Sequence, residues 1–358
     1  MANENGWMFN EETRTLTIFD EHVLSNDKLL SRCVFDAKKI IIREGVKSIG
    51  VRAFEGCSIL RSITIPNTVT TIGDRAFDHC ESLTEIAIPD SVTSIGSYAF
   101  CGCYNLTEIT IPDSVTAIGE NAFFACRGLT VIQVDPNNTT YVSVDGVLFN
   151  RDKTMLIRYP SGKPSSRYEI PDAVKSIGIC AFYHCYNLAE ITIPDSVTSI
   201  GDLAFCWCHS LTEITIPDGV TVIGNNAFFD CMRLSAIQVD PNNTTYTSVD
   251  GVLFNKEKTE LIRYPSAKPS SKYEIPDGVT DIGKDAFYYC CNLTEITIPN
   301  TVTTIGDCAF SSCKSLTEIT IPDSVTSIGN YIFTGCDKLM NDGKSVYFSD
   351  YNKNNGNE

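Results

Sequence analysis

The chain has 358 residues and a formal charge of −16, from 44 acidic against 28 basic side chains. Such an excess repels nucleic acid and anionic lipid at long range, so neither is expected as a partner. No apolar run is long enough to span a bilayer, so no membrane insertion is expected. Residues 1–10 (MANENGWMFN) lack a basic-then-apolar leader; taken literally, this describes a soluble intracellular chain.

In chain order, Trp7, Phe9, Leu16 and Ile18 flank a polar stretch at 10–14. This predicts a hairpin covering the first coil, in an N-terminal cap at 1–39. From residue 40 the chain repeats: residues 83–103 read LTEIAIPDSVTSIGSYAFCGC and residues 106–126 read LTEITIPDSVTAIGENAFFAC, with a period of 23. The slot that holds the isoleucine before the proline in most coils recurs at Ile42, Ile65, Ile88, Ile111, Val134, Ile170, Ile193, Ile216, Val239, Ile275, Ile298 and Ile321, which predicts about twelve coils between 40 and 338. Alternation of Ile109 and Ile111 with Glu108 and Thr110 is a strand with one face buried. Pro112 ends that strand, and Val115 and Ile118 return to the core. Gly119 is expected to permit a bend, and A-F-x-x-C is expected to be a short helical turn with Phe and Cys inward. One coil cannot bury its own apolar face, so the coils must stack. The predicted fold is a leucine-rich-repeat solenoid with a right-handed coil. A parallel β-sheet forms one face, and short helical turns and strands form the other.

Residues 132–168 and 237–273 are near-copies 105 residues apart, each with 13 extra residues. Val147, Leu148 and Phe149 are strand-like, as are Leu156, Ile157, Arg158 and Tyr159, and a polar turn lies at 150–154. A β-hairpin is predicted in each long coil. Beyond Cys336 the pattern decays through Leu339 and Val346, Tyr347 and Phe348 into a C-terminal cap and polar tail at 339–358.

Ten of the 16 cysteines (Cys57, Cys80, Cys103, Cys126, Cys185, Cys208, Cys231, Cys290, Cys313 and Cys336) fall on the repeat. A periodic cysteine is a small buried slot rather than a ligand or redox centre. Cys101/Cys103, Cys206/Cys208 and Cys290/Cys291 lack the paired spacing of zinc sites, so no metal is expected. His22, His79, His184 and His209 have no recurring orienting group, and no catalytic constellation or phosphate-binding loop is present, so no catalytic residue and no cofactor are expected. Sequons lie at Asn105, Asn137, Asn138, Asn242, Asn243 and Asn292.

The candidate partner-binding face is the solvent side of the strands: Glu85, Glu108, Thr110, Glu190, Thr192, Glu213, Thr215, Glu295, Thr297, Glu318 and Thr320. Stacked carboxylates repel one another at strand spacing, so they form an acidic strip suited to a basic partner. Tyr104, Phe124, Tyr186, Trp207 and Tyr288 offer a second, aromatic surface.

The signature I-P-x-S-V-T-x-I-G-x-x-A-F-x-x-C resembles the BspA-like leucine-rich repeats, also called the Treponema pallidum type. The long coil V-D-G-V-L-F-N-K-x-K-T-x-L-I-R-Y-P resembles a variant coil of that family. The resemblance implies a non-catalytic protein-binding solenoid, adhesin-like or on a cell surface. Its partner would be a host extracellular protein or another cell-surface protein. It carries no position-specific binding residues. The alternative is an intracellular scaffolding or regulatory protein, in keeping with the many thiols.

Overall fold

The computed structural model describes residues 6–20, 24, 31–341 and 347–348. His22, Val346 and the tail at 349–358 lie outside the described residues. The architecture is a β-solenoid of about thirteen turns with almost no helix. The N-terminal hairpin extends the stack: Trp7–Asn10 pairs antiparallel with Thr15–Ile18. Thr15–Ile18 then pairs in parallel with Lys39–Ile42, Ile18 opposite Ile42.

The chain divides into two compact units, one made of 1–165, 173–187 and 201–204, the other of 166–172, 188–200 and 205–358. In the first, Lys39–Ile42 continues the parallel ladder to Ser62–Thr64, and Glu108–Ile111 pairs with Val131–Val134. A second parallel ladder runs through the two-residue strands Ser48–Ile49, Thr71–Ile72, Ser94–Ile95 and Ala117–Ile118. In the second unit, Lys272–Glu274, Glu295–Thr297, Glu318–Ile321 and Tyr347–Phe348 form one parallel sheet.

The repeat pattern explains the core residue by residue. Inward rings stack at 5.4 Å for Phe54–Phe77, 5.3 Å for Phe77–Phe100 and 5.8 Å for Phe100–Phe123. In the second unit, Phe287–Phe310 and Phe310–Phe333 stack at 5.2 and 5.7 Å. The long coils have no A-F motif, and Tyr159 and Tyr264 take the vacant ring position, stacking on Phe182 and Phe287 at 5.2 Å each. The periodic cysteines are more than small apolar fillers. Eight of the ten thiols reach a backbone carbonyl of the preceding coil, as in Cys80 to Phe54 O (3.2 Å), Cys126 to Phe100 O (3.0 Å) and Cys313 to Phe287 O (3.1 Å). Fifteen cysteines among the described residues form no disulfide.

Two expectations change. The A-F-x-x-C segment is not helical: it is a run of turns with two left-handed residues per coil, such as Arg75 (φ 55°) and His79 (φ 58°). Alternate amides point to the next coil, so that Tyr98, Phe100 and Gly102 donate to Glu120, Ala122 and Phe124 at 3.0, 2.8 and 2.9 Å. Gly119 is needed for close approach rather than for bending. It has no positive φ, and a Cβ there would lie 2.3 Å from Ser97 N. The coils are in backbone contact at this slot.

Each long coil carries a three-stranded antiparallel meander, whose last strand also joins the parallel ladder, rather than a simple hairpin. Tyr141–Val144, Val147–Asn150 and Met155–Arg158 run antiparallel in turn. The first connection is Asp145-Gly146, both with positive φ (51° and 78°), the two-residue turn that suits the twist of paired strands. Asn138 anchors the insertion. Fully buried, it donates to Pro112 O (2.7 Å) and Val115 O (2.9 Å) and accepts from the Thr140 and Tyr141 amides (2.9 and 2.8 Å). Asn243 repeats the arrangement. The sequons at Asn138 and Asn243 are therefore structural in the folded chain. Asn138→Ala would strand four buried polar groups and is expected to cost about 2–4 kcal/mol. Urea unfolding of wild type and variant checks this, and a loss below about 0.5 kcal/mol would contradict it.

Candidate interaction face

Strand alternation drives the exposed ladder. In Glu108–Ile111, Ile109 and Ile111 are 1% and 0% exposed, and Glu108 and Thr110 face solvent. Glu85, Glu190, Thr192, Glu213, Thr215, Glu295, Thr297, Glu318 and Thr320 are likewise exposed. Register sets Glu295 directly opposite Glu318.

The ladder is not a continuous acidic strip. The glutamate slot is filled by Arg167 and Lys272 after the long coils and by Val131 and Ala236 within them. Arg167 sits 3.6 Å from Glu190, and Lys272 sits 2.5 Å from Glu295. Hydrogen bonding to Glu295 raises the Lys272 pKa, so this ammonium stays charged. In the second unit the slot reads cation, two carboxylates and alanine, then cation and two carboxylates. Each acidic pair therefore has a cation at one end, which eases the like-charge repulsion.

The aromatic surface is half-buried and packed into itself. Phe124 stacks on Tyr183 at 4.0 Å, and Phe229 on Tyr288 at 4.3 Å. The Arg127 guanidinium lies 5.2 Å from the Tyr104 ring and 5.7 Å from the Tyr186 ring. Trp207 lies 5.4 Å from the His209 ring.

The structure also gathers Asp78, His79 and Cys101, a trio that sequence spacing had not brought together. One potential ligand atom from each lies within 4.8 Å of the others. A carboxylate, an imidazole and a thiol could hold a zinc ion. Here, however, Arg75 takes one Asp78 oxygen at 2.9 Å and His79 the other at 2.7 Å. Burial and the adjacent Asp78 push the Cys101 thiol up, keeping it protonated. The arrangement is an ion-paired cluster on the turn side. His184 is buried in the equivalent slot, and His209 lies 3.6 Å from Asp230.

The buried thiols carry a pH consequence. Burial raises Cys126 and Cys231 from an ordinary 9.0 to about 12. Their folded values exceed the unfolded one, so the stability they contribute is intact below about pH 9 and disappears as pH climbs toward about 12. The urea midpoint should therefore be flat between about pH 7 and 8.5 and fall above 9. At pH 8 a soluble thiol reagent should modify Cys291 and Cys308, which are partly exposed, well before the buried set. Fast labelling of Cys126 in folded protein would contradict this.

The profile of the BspA type leucine-rich repeat region matches six copies, over residues 26–149, 163–270 and 264–343. A leucine-rich repeat protein from Eubacterium ventriosum is 27% identical, with 92% of each chain covered and a TM-score of 0.67. A leucine rich cell surface protein from Faecalibacterium prausnitzii is 30% identical over 93% of this chain and 85% of its own, with a TM-score of 0.53. The pneumococcal vaccine antigen PcpA shares the fold at 23% identity and a TM-score of 0.50, over 82% of this chain and 79% of its own. No curated relative matches the chain.

Proposed function

Because the chain belongs to the BspA-type leucine-rich repeat family, we propose that it is an adhesin-like module that binds another protein through its exposed strand residues and catalyses nothing. Families of this repeat type are generally non-enzymatic. The observation that carries the reading is the ladder itself. Its eleven glutamates and threonines are all exposed while the isoleucines between them serve the core, so they are free to change without cost to folding. Yet carboxylates recur in adjacent coils, where they repel. A partner with paired basic side chains would relieve that repulsion and gain steering from the net charge of −16. The chain's similarity to a leucine rich cell surface protein of Faecalibacterium prausnitzii favours a partner on or near a cell surface.

A second reading, an intracellular scaffold, draws on the thiol ladder. Each S–H donor to a carbonyl is lost on oxidation, so the stacked cysteines suit a reducing compartment. Counting free thiols in protein taken from its native cells separates the two settings.

The face is tested by reversing charge at Glu190→Lys, Glu213→Lys, Glu295→Lys and Glu318→Lys together. Binding to a panel of immobilised extracellular proteins is read by interferometry at two salt concentrations. Exposed charge contacts are worth about 0.2–1 kcal/mol each, so capture should weaken on the order of tenfold or more. The urea midpoint should hold. Unchanged affinity in the folded variant removes this face from the account.

A further inference from the structure

The inserted strands open a cleft in each unit. In ordinary coils the second, fourth and sixth residues after the glycine donate to the next coil, as Tyr98, Phe100 and Gly102 do. The coil that follows 119–126 lacks the matching segment, and the bonds resume only at Tyr159, which donates to Ala181 O at 2.8 Å. The Tyr141 hydroxyl caps the Ile118 amide at 2.9 Å. Among the described residues, no acceptor meets the amides of Asn121, Phe123 and Ala125. Between them and the inserted strands lies a cavity of about 380 Å³, within the range of small-molecule sites.

Its floor is Arg158, only 5% exposed. Nη1 donates to Cys180 O, and Nη2 donates to Ser161 Oγ (2.8 Å) and Tyr183 O (3.2 Å). Nε is buried and has no acceptor. All three partners are neutral, and no carboxylate lies within ion-pair distance among the described residues. Guanidinium cannot shed its charge, so this is a buried cation without a counter-ion, a costly arrangement. The walls are apolar: Phe124, Met155, Ile157 and Ile179. Met155 and Ile179 are 38% and 47% exposed, two of the few large apolar side chains the fold leaves to solvent. Glu120 stands at the rim.

The second unit has the same cleft built on Arg263, at about 470 Å³. Arg263 makes the same three kinds of bond, and its Nε also lacks an acceptor. There, though, Asp285 replaces Cys180, Asp230 replaces Ala125, Glu260 replaces Met155 and Lys284 replaces Ile179. Asp285 and Asp230 both feel the Arg263 charge. That cleft supplies carboxylates near its arginine; in the first, Glu120 at the rim is the one lining carboxylate among the described residues, and it forms no ion pair with Arg158.

We propose that the cleft over Arg158 binds a small aliphatic monocarboxylate. The carboxylate supplies the missing counter-ion at Arg158 and the acceptor for the open Asn121 and Phe123 amides. The hydrocarbon lies against Met155, Ile157 and Ile179. The inference does not depend on the strand-face reading, since it concerns the opposite set of elements and a different ligand class.

Sodium decanoate, titrated calorimetrically into the full chain below its micellar range, is the direct probe. One site is expected, and 1-decanol should bind about tenfold more weakly or not at all. Arg158→Met should remove the preference for decanoate over decanol, whereas Arg263→Met should leave it unchanged. Should Arg158→Met fail to fold, Met155→Glu with Ile179→Lys, which installs the second unit's residues at exposed positions, should weaken decanoate to the same degree. Absence of decanoate binding to wild type overturns the proposal. So does equal binding of decanol, or an equal loss with Arg263→Met.

Discussion

Every coil depends on backbone hydrogen bonds made to the coil beside it. In the turns after each glycine only alternate amides close a bond within the coil, as Ala99 does to Gly96 O and Cys101 to Tyr98 O, so the others must find carbonyls in the next coil or go unpaired. That one requirement selects much of the repeat. It brings neighbouring backbones so close that a Cβ at Gly119 would sit 2.3 Å from Ser97 N. It calls for left-handed residues such as Arg75 and His79. It also sets the rings of Phe54, Phe77 and Phe100 at stacking distance and delivers thiols such as Cys80 and Cys103 to a carbonyl one coil back.

An insertion into such a ladder has to repair what it breaks. Asn138 and Asn243 take up two orphaned carbonyls each, and the Tyr141 and Tyr246 hydroxyls cap the exposed strand amides. Tyr159 and Tyr264 restore the ring stack. What is left unrepaired, the amides facing each cleft, is where the two near-copies diverge in wall residues. Buried polar groups left without partners are costly, so sites of this kind are natural places for a ligand.

Much of this was legible in the residues. The 23-residue period, strand alternation, inward Phe and Cys, and outward Glu and Thr all follow from burial on stacked coils, which leaves a strong imprint on composition by position. The long coils were located for the same reason. The first inserted strand was missed, although Asp145-Gly146 is a strong turn signal, because Tyr141–Val144 is half-buried throughout and shows no alternation. A helical turn was expected at A-F-x-x-C because apolar spacing of three to four residues suits a helix. The left-handed residues that break it include Arg, Tyr, Cys and His, which carry no glycine-like signal. The glutamate ladder was identified, but its interruption by Arg167 and Lys272 emerged only with the strand register. The clefts were invisible in the sequence because they are made by hydrogen bonds that do not form.

The clefts exist because the coil-to-coil ladder breaks at 119–126, and amide hydrogen exchange read at single-residue resolution reports that break. Phe100 and Phe123 occupy equivalent slots, and their side chains are both almost fully buried. If the coil at 119–126 ends a ladder, the Phe100 amide is strongly protected while the Phe123 and Asn121 amides exchange orders of magnitude faster. Equal protection at Phe100 and Phe123 would mean that the ladder continues through the long coil, and that neither the open amides nor the cleft they face exists.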